Sequence, residues 1–259
     1  MNKTQILTLL ASVLLFLGLY FGFDTKPEKQ KKSDHTHAGP TESTDPGSLK
    51  SEAFATLDAG QKEQIVALEK QFEDAKEGQR VALLKKMSGL WYDFGHLPVA
   101  GEVAEVIAGI ENADSSWSVA GALFFNGLLA TNDPNLRQYC ADHAVKSFEK
   151  ASALAPDDPI HRVNLALVWA ENPPPNNPMQ AVLMLRELEQ KYPDQPAVYN
   201  ALGRLAIKTG QWQRAIERLE KARSLDPGHP NTPCLLAQAY KGAGNNEKAT
   251  EFAALCNNR

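Results

Sequence analysis

Apolar positions along the chain fall into three regimes. From Thr4 to Phe23 there is no charged residue, and the 18 residues from Ile6 to Phe23 are almost wholly apolar. Residues 24–50 then carry hardly any apolar side chain: Lys26, Lys29, Lys31 and Lys32 give way to a run rich in Ser, Thr, Pro and Gly. From residue 51 onward apolar side chains return at spacings of three and four, the period of amphipathic helices. Phe54, Leu57, Ile65, Leu68 and Phe72 predict such a helix over 51–80. Prolines punctuate the remainder of the chain, with stops at Ala155-Pro156, Tyr192-Pro193 and Asp226-Pro227 and starts at Pro159, Pro196 and Pro230. Proline ends a helix, disfavours helical geometry in the residue before it, and is tolerated in a first turn.

The helical segments repeat. The run from Val198 to Ala206, continuing through Gly210 to Ala215, overlays at an offset of 34 on Leu235, Leu236, Ala237, Tyr240, Gly244 and Ala249. Tyr199, Leu202, Gly203 and Ala206 form the inward stripe of a first helix; Ala215, Leu219 and Ala222 form that of a second, and Gly210 permits the turn between them. Gly203 and Ala215 are small where two helices of a hairpin must approach closely. A two-helix unit of this length resembles the tetratricopeptide repeat. The resemblance implies an all-α fold, a right-handed superhelical solenoid of stacked helical hairpins.

Five copies cover residues 81–259: 81–113, 114–158, 159–195, 196–229 and 230–259. The first is degenerate, carried by Leu84, Met87, Ser88 and Trp91, then Gly95, Ala100, Ala104 and Ile107. The second is about eleven residues longer than the period, with Pro134 opening a second helix extended by three turns. The third has an insertion, Pro173-Pro174-Pro175-Asn176-Asn177-Pro178, read as a stiffened turn rather than a Pro-rich ligand. Residues 51–80 cap the open N-terminal end of the array, where a bare apolar face would meet water; a dimerising coiled coil is the alternative.

The apolar stretch changes the setting. Its 18 residues would reach ~27 Å as a helix, close to the hydrocarbon thickness of a bilayer. Residues 4–23 therefore read as a transmembrane anchor, and residues 24–50 as a disordered linker that buries too little to offset its ordering entropy. A cleavable signal peptide fits less well, because the stretch ends on Tyr20, Phe21 and Phe23 where cleavage needs small side chains. The expected location is a single-pass protein of a bacterial inner membrane. Lys3 alone precedes the span and four lysines follow it, which places the repeats in the cytoplasm. A short N-terminus with one lysine is equally the start of many export anchors, which would send them to the other side.

Composition excludes more than it assigns. With 27 Lys+Arg against 31 Asp+Glu the net charge is −4, so no basic field recruits nucleic acid. The cysteines, Cys140, Cys234 and Cys256, have no metal-ligand spacing and read as small core or surface thiols. His35 and His37 lie on the linker without acidic or cysteine neighbours, a poor metal site. Asp93-Phe94-Gly95 matches a kinase tripeptide without the remaining kinase motifs. No catalytic, cofactor or metal site is expected, and the chain is not read as an enzyme.

What the resemblance implies instead is a partner protein or peptide in the concave groove lined by first helices. The residues expected there are Phe125, Asn126, Val163, Leu167, Asn200, Arg204, Lys208, Gln238 and Lys241. Asn200, Arg204 and Lys208 recur every four residues, so with Lys241 they form a polar stripe suited to an acidic segment or a C-terminal carboxylate. Two functions remain open: a membrane-anchored scaffold, or a structural subunit of a stable membrane-associated oligomer with no exchangeable ligand.

Overall fold

Residues 46–257 are described by the structure, a computed structural model, and within them every apolar stripe forms a helix. Twelve follow one another: α1 (Pro46–Thr56), α2 (Ala59–Glu73), α3 (Glu77–Asp93), α4 (Leu97–Glu111), α5 (Asp114–Ala130), α6 (Pro134–Leu154), α7 (Pro159–Glu171), α8 (Gln180–Lys191), α9 (Pro196–Lys208), α10 (Trp212–Leu225), α11 (Thr232–Gly242) and α12 (Asn246–Asn257). The expected anchor at 4–23, most of the linker, and His35 and His37 lie outside the described residues. Among the described residues no helix is long and apolar enough to cross a membrane.

The N-terminal boundary differs from the expectation. Residues 46–50 are helical, because Leu49 and Ala53, one turn apart, are buried with Leu57, Ile65, Met87 and Trp91. The single helix expected over 51–80 is instead α1, α2 and the beginning of α3. Asp58 makes the break with a capping box: its carboxylate accepts the Gln61 backbone N–H at 2.8 Å, and the Gln61 side chain accepts the Asp58 N–H at 3.0 Å.

Five hairpins follow, from α3/α4 to α11/α12. Three turn identically. Gly95, Gly210 and Gly244 have φ of 83°, 69° and 79°, in the left-handed region open to glycine. After each, a backbone N–H reaches back over the turn, from His96 to Trp91 O (2.9 Å), Gln211 to Ala206 O (2.8 Å) and Asn245 to Tyr240 O (2.9 Å). The 34-residue spacing of Gly210 and Gly244 is thus a spacing of equivalent turns. In the lengthened copy, Asp133 caps α6 by accepting the Asn135 N–H at 2.9 Å, and α6 runs 21 residues against 14 in α10.

Helix crossings explain the small residues. A Cβ added to Gly203 would lie 2.5 Å from Leu219 Cγ, and one added to Gly121 would lie 2.8 Å from the Phe148 ring, so each glycine admits a large side chain from the second helix of its own hairpin. Ala215 and Ala222 are fully buried. First helices α5, α7, α9 and α11 also pack on one another in series, while α12 packs on α11 alone among the helix pairs in substantial contact.

One expectation is corrected. Cys234 and Cys256 are not independent thiols: they form a disulfide, Cα–Cα 4.9 Å, between α11 and α12. Cys140 is free and fully buried.

Candidate peptide-binding groove

Where α7, α9 and α11 lie side by side, a groove of about 510 Å³ opens between them. Val163, Asn200 and Cys234 form one row across it, and Leu167, Arg204 and Gln238 the next, each row stepping by one repeat length. Leu235, Ile207, Ala197 and Ala201 extend the apolar lining, and His229 and Asn231 supply polar atoms from the turn before α11. The lining is mixed, with Asn164, Asn200, Arg204, His229, Asn231 and Gln238 set among the apolar side chains, which suits an extended segment that offers both side chains and backbone polar groups.

Asn200 is the notable polar group. It is 8% exposed, its Oδ1 accepts the Thr232 hydroxyl at 2.9 Å, and its amide nitrogen has no hydrogen-bond partner. A buried donor left unsatisfied costs roughly 1–3 kcal/mol. The nitrogen is closed off from the groove in this conformation, so a ligand carbonyl would relieve that cost only after the side chain turns outward.

Five of the nine residues expected in the groove line it: Val163, Leu167, Asn200, Arg204 and Gln238. Phe125, Asn126, Lys208 and Lys241 fall outside its lining. Phe125 belongs to the neighbouring cluster around Phe124 and Leu128, with the Arg204 guanidinium 5.7 Å over its ring, whereas Asn126 and Lys241 are exposed.

The cationic stripe is already answered from within the protein. Lys208 Nζ donates to Ala170 O at 2.6 Å and to Glu171 Oε2 at 2.8 Å, and Arg204 lies 3.7 Å from Glu171 Oε1. Glu171 ends α7, so Lys208 also neutralises the exposed carbonyl end of that helix. Nearest to a ligand in the groove, Arg204 retains partial exposure and Asn200 retains its free donor.

Sequence reasoning missed Cys234, although it stands one period after Asn200; as a presumed isolated thiol it was not placed in the row. It also missed Glu171, which occupies the position equivalent to Lys208 one repeat earlier. Neighbouring first helices bring equivalent positions together, and the 37-residue third copy gives their separation.

Two further polar clusters lie outside the groove. Between α4 and α6, Tyr139 donates to Glu102 at 2.7 Å, while Glu105 receives His143 Nδ1 at 2.9 Å and the Ser147 hydroxyl at 3.1 Å. Burial pushes the Glu102 carboxyl up. Burial pushes Glu105 up too, but the hydrogen bond and charge of His143, with Lys146 and Ser147, hold it below the usual carboxylate range. Burial and Glu102 push the Tyr139 phenol up, and burial drives the Cys140 thiol to about 12. The second cluster joins the starts of α5 and α7, where His161 Nε2 is 3.1 Å from Asp114 Oδ2 and 3.8 Å from Asp158 Oδ2. Its ligand atoms lie within 4.8 Å of one another and could hold a metal ion. Both acids also have a structural reason to be there, at helix N-termini, and Asp158 caps α7 through Ile160.

Comparison with known proteins agrees with this architecture. The family model described as tetratricopeptide repeat matches residues 206–255, from the last turn of α9 into α12. No curated protein matches the sequence. Among solved structures, a tetratricopeptide repeat protein from Parabacteroides merdae is similar at 13% identity and a TM-score of 0.51, over 81% of this chain and 77% of that one. A thermophilic tetratricopeptide repeat protein of Thermus thermophilus is similar at 16% identity and a TM-score of 0.51, over 76% of this chain and 97% of that one. At these identities the likeness is one of fold: an all-helical array of tetratricopeptide-type hairpins.

Proposed function

We propose that this protein is a membrane-anchored, non-catalytic scaffold that holds an extended segment of a partner protein in the groove formed by α7, α9 and α11. The observation that carries the proposal is the groove itself, shared by three successive first helices, in which Asn200 and Arg204 stand in consecutive rows among apolar side chains and the Asn200 amide nitrogen has no hydrogen-bond partner. A peptide backbone offers a carbonyl every residue, so a segment lying along the groove meets the Asn200 amide once that side chain turns toward it, and buries its own side chains against Val163, Leu167, Ile207 and Leu235. Arg204 gives the segment a preference for a carboxylate nearby, in competition with Glu171.

Residues 4–23 supply the anchor in this proposal, and the composition of the following stretch suits a tether. As a random coil, the stretch 24–45 that precedes α1 would span about 25 Å, which keeps a bound partner close to the bilayer and raises its local concentration.

Site-specific photo-crosslinking in cells tests the proposal. A benzophenone amino acid is placed in the full-length chain at Gln238 or Leu167 in the groove, or at Leu183, an exposed residue on α8. A discrete adduct from both groove positions, weakened by Asn200→Ala and missing from Leu183, supports the groove. Adducts that form equally from all three positions, or persist undiminished in Asn200→Ala, overturn it.

A further inference from the structure

Helix α12 packs mainly on α11, with the Arg223 guanidinium of α10 5.0 Å over the Phe252 ring, and Phe252, stacked on Tyr240 at 5.5 Å, is its one buried large hydrophobic side chain among the described residues. A covalent bond closes the α11/α12 hairpin, since the fold brings Cys234 and Cys256 together across it at a Cα–Cα distance of 4.9 Å. Cys234 also lines the groove beside Leu235 and Gln238, so the bond fixes one wall of the proposed binding surface.

We infer that the Cys234–Cys256 disulfide is a constitutive staple of the terminal hairpin and that the repeat array therefore works in an oxidising compartment, across the membrane from Met1 to Lys3. Disulfides persist in exported and periplasmic proteins and are kept reduced in the cytosol, so a stapled hairpin and a cytosolic array are incompatible in an ordinary mesophilic cell. The lysine count around the apolar stretch favoured the opposite side. That count rests on one lysine in a very short N-terminus, whereas the disulfide is a property of the folded domain itself. Formation of the bond takes one proton from each thiol and two electrons from the pair; both electrons pass to the disulfide of a compartment thiol oxidase, which leaves as a dithiol. The third cysteine does not compete, because Cys140 is fully buried beneath α5, against Gly127, in a different cluster. The staple stands independently of the anchor; the membrane side also rests on the reading of residues 4–23.

Thiol counting on the full-length chain decides the matter. Cells producing it are quenched in acid, the protein is denatured, and a maleimide–polyethylene glycol reagent is added with or without prior reduction. The expected count is one adduct without reduction and three after it, rising to two without reduction in Cys234→Ser or Cys256→Ser. Three adducts without reduction overturn the staple. Protease added outside spheroplasts should digest the array; an array that remains protected overturns the assignment of side, even if the disulfide is present. Carbonate extraction separates failure of the anchor from failure of the staple, since a chain that washes off the membrane with one free thiol removes the first and leaves the second standing.

Discussion

Replacing Gly203 by alanine isolates what the repeat requires of its small residues. Within a helix, alanine is favoured over glycine by about 0.8–1 kcal/mol, so in isolation the change stabilises α9. At the α9/α10 crossing, however, the new Cβ would stand 2.5 Å from Leu219 Cγ and 2.6 Å from Cδ2, where carbon atoms prefer about 3.5–4.0 Å. Leu219 is fully buried and has no free direction of retreat, so the helices must separate. Overpacking costs typically 1–3 kcal/mol, and a 2.5 Å approach to a buried side chain belongs in the upper half of that range, about 2–3 kcal/mol, which outweighs the propensity gain and leaves a net loss of about 1–2 kcal/mol. Gly109 is the control: it lies in α4, exposed, with no atom within 4 Å of its added Cβ. There the same substitution should stabilise by nearly the full propensity difference. Thermal unfolding followed by circular dichroism should show the midpoint lowered for Gly203→Ala by roughly 2–8 °C and raised for Gly109→Ala, at a sensitivity of about 2–4 °C per kcal/mol for a domain of this size. A Gly203→Ala protein that melts with or above the parent refutes the close-crossing argument, and with it the physical reading of the repeat.

Two other perturbations have signs fixed by the structure. Glu102 and Glu105, three residues apart on α4, should respond oppositely to glutamine. The folded-state pKa of Glu102 is raised, so its contribution to stability is present below the ordinary carboxylate range and is lost as pH rises through the raised value; Glu102→Gln should be neutral or stabilising at pH 7. Glu105 is depressed, so its contribution is present above the ordinary range and is lost as pH falls through the lowered value; Glu105→Gln should cost about 1–2 kcal/mol at pH 7 and flatten the acid limb of a stability–pH profile measured in urea. Equal losses from both would show that this cluster is not electrostatically polarised. In the groove, Glu171→Gln frees Arg204 and Lys208 from their shared carboxylate and should tighten binding of an acidic peptide severalfold at low salt, measured by fluorescence anisotropy, while leaving a neutral peptide unaffected. Unchanged or weakened acidic-peptide binding would remove Arg204 and Lys208 from any account of specificity.

Much of the fold was legible because stacked hairpins impose on every copy two demands that only a few residue types meet. A close crossing needs a small side chain, hence Gly121 and Gly203 opposite Phe148 and Leu219; a tight turn needs positive φ, hence Gly95, Gly210 and Gly244. What escaped notice were contacts that depend on combining the period with antiparallel geometry. In the α9/α10 hairpin Gly203 faces Leu219, and one period later the equivalent positions are Ala237 and Ala253. Moving three residues outward along each antiparallel helix reaches Cys234 and Cys256, the bonded pair. The disulfide was therefore implicit in the repeat register, though invisible to a search for cysteine spacing along the chain. Glu171 was hidden in the same way, since it meets Lys208 only because equivalent positions of successive first helices touch. The free donor of Asn200 lies beyond that kind of reasoning: a polar residue on a helix face is ordinarily hydrated, and only the packing of α9 against α11, with Thr232 donating to its carbonyl oxygen, buries the amide nitrogen with nothing to receive it. Periodicity locates the groove's rows, but the unmet hydrogen bond of Asn200 arises from three-dimensional packing, which is why the hairpin array was readable before this detail of the groove.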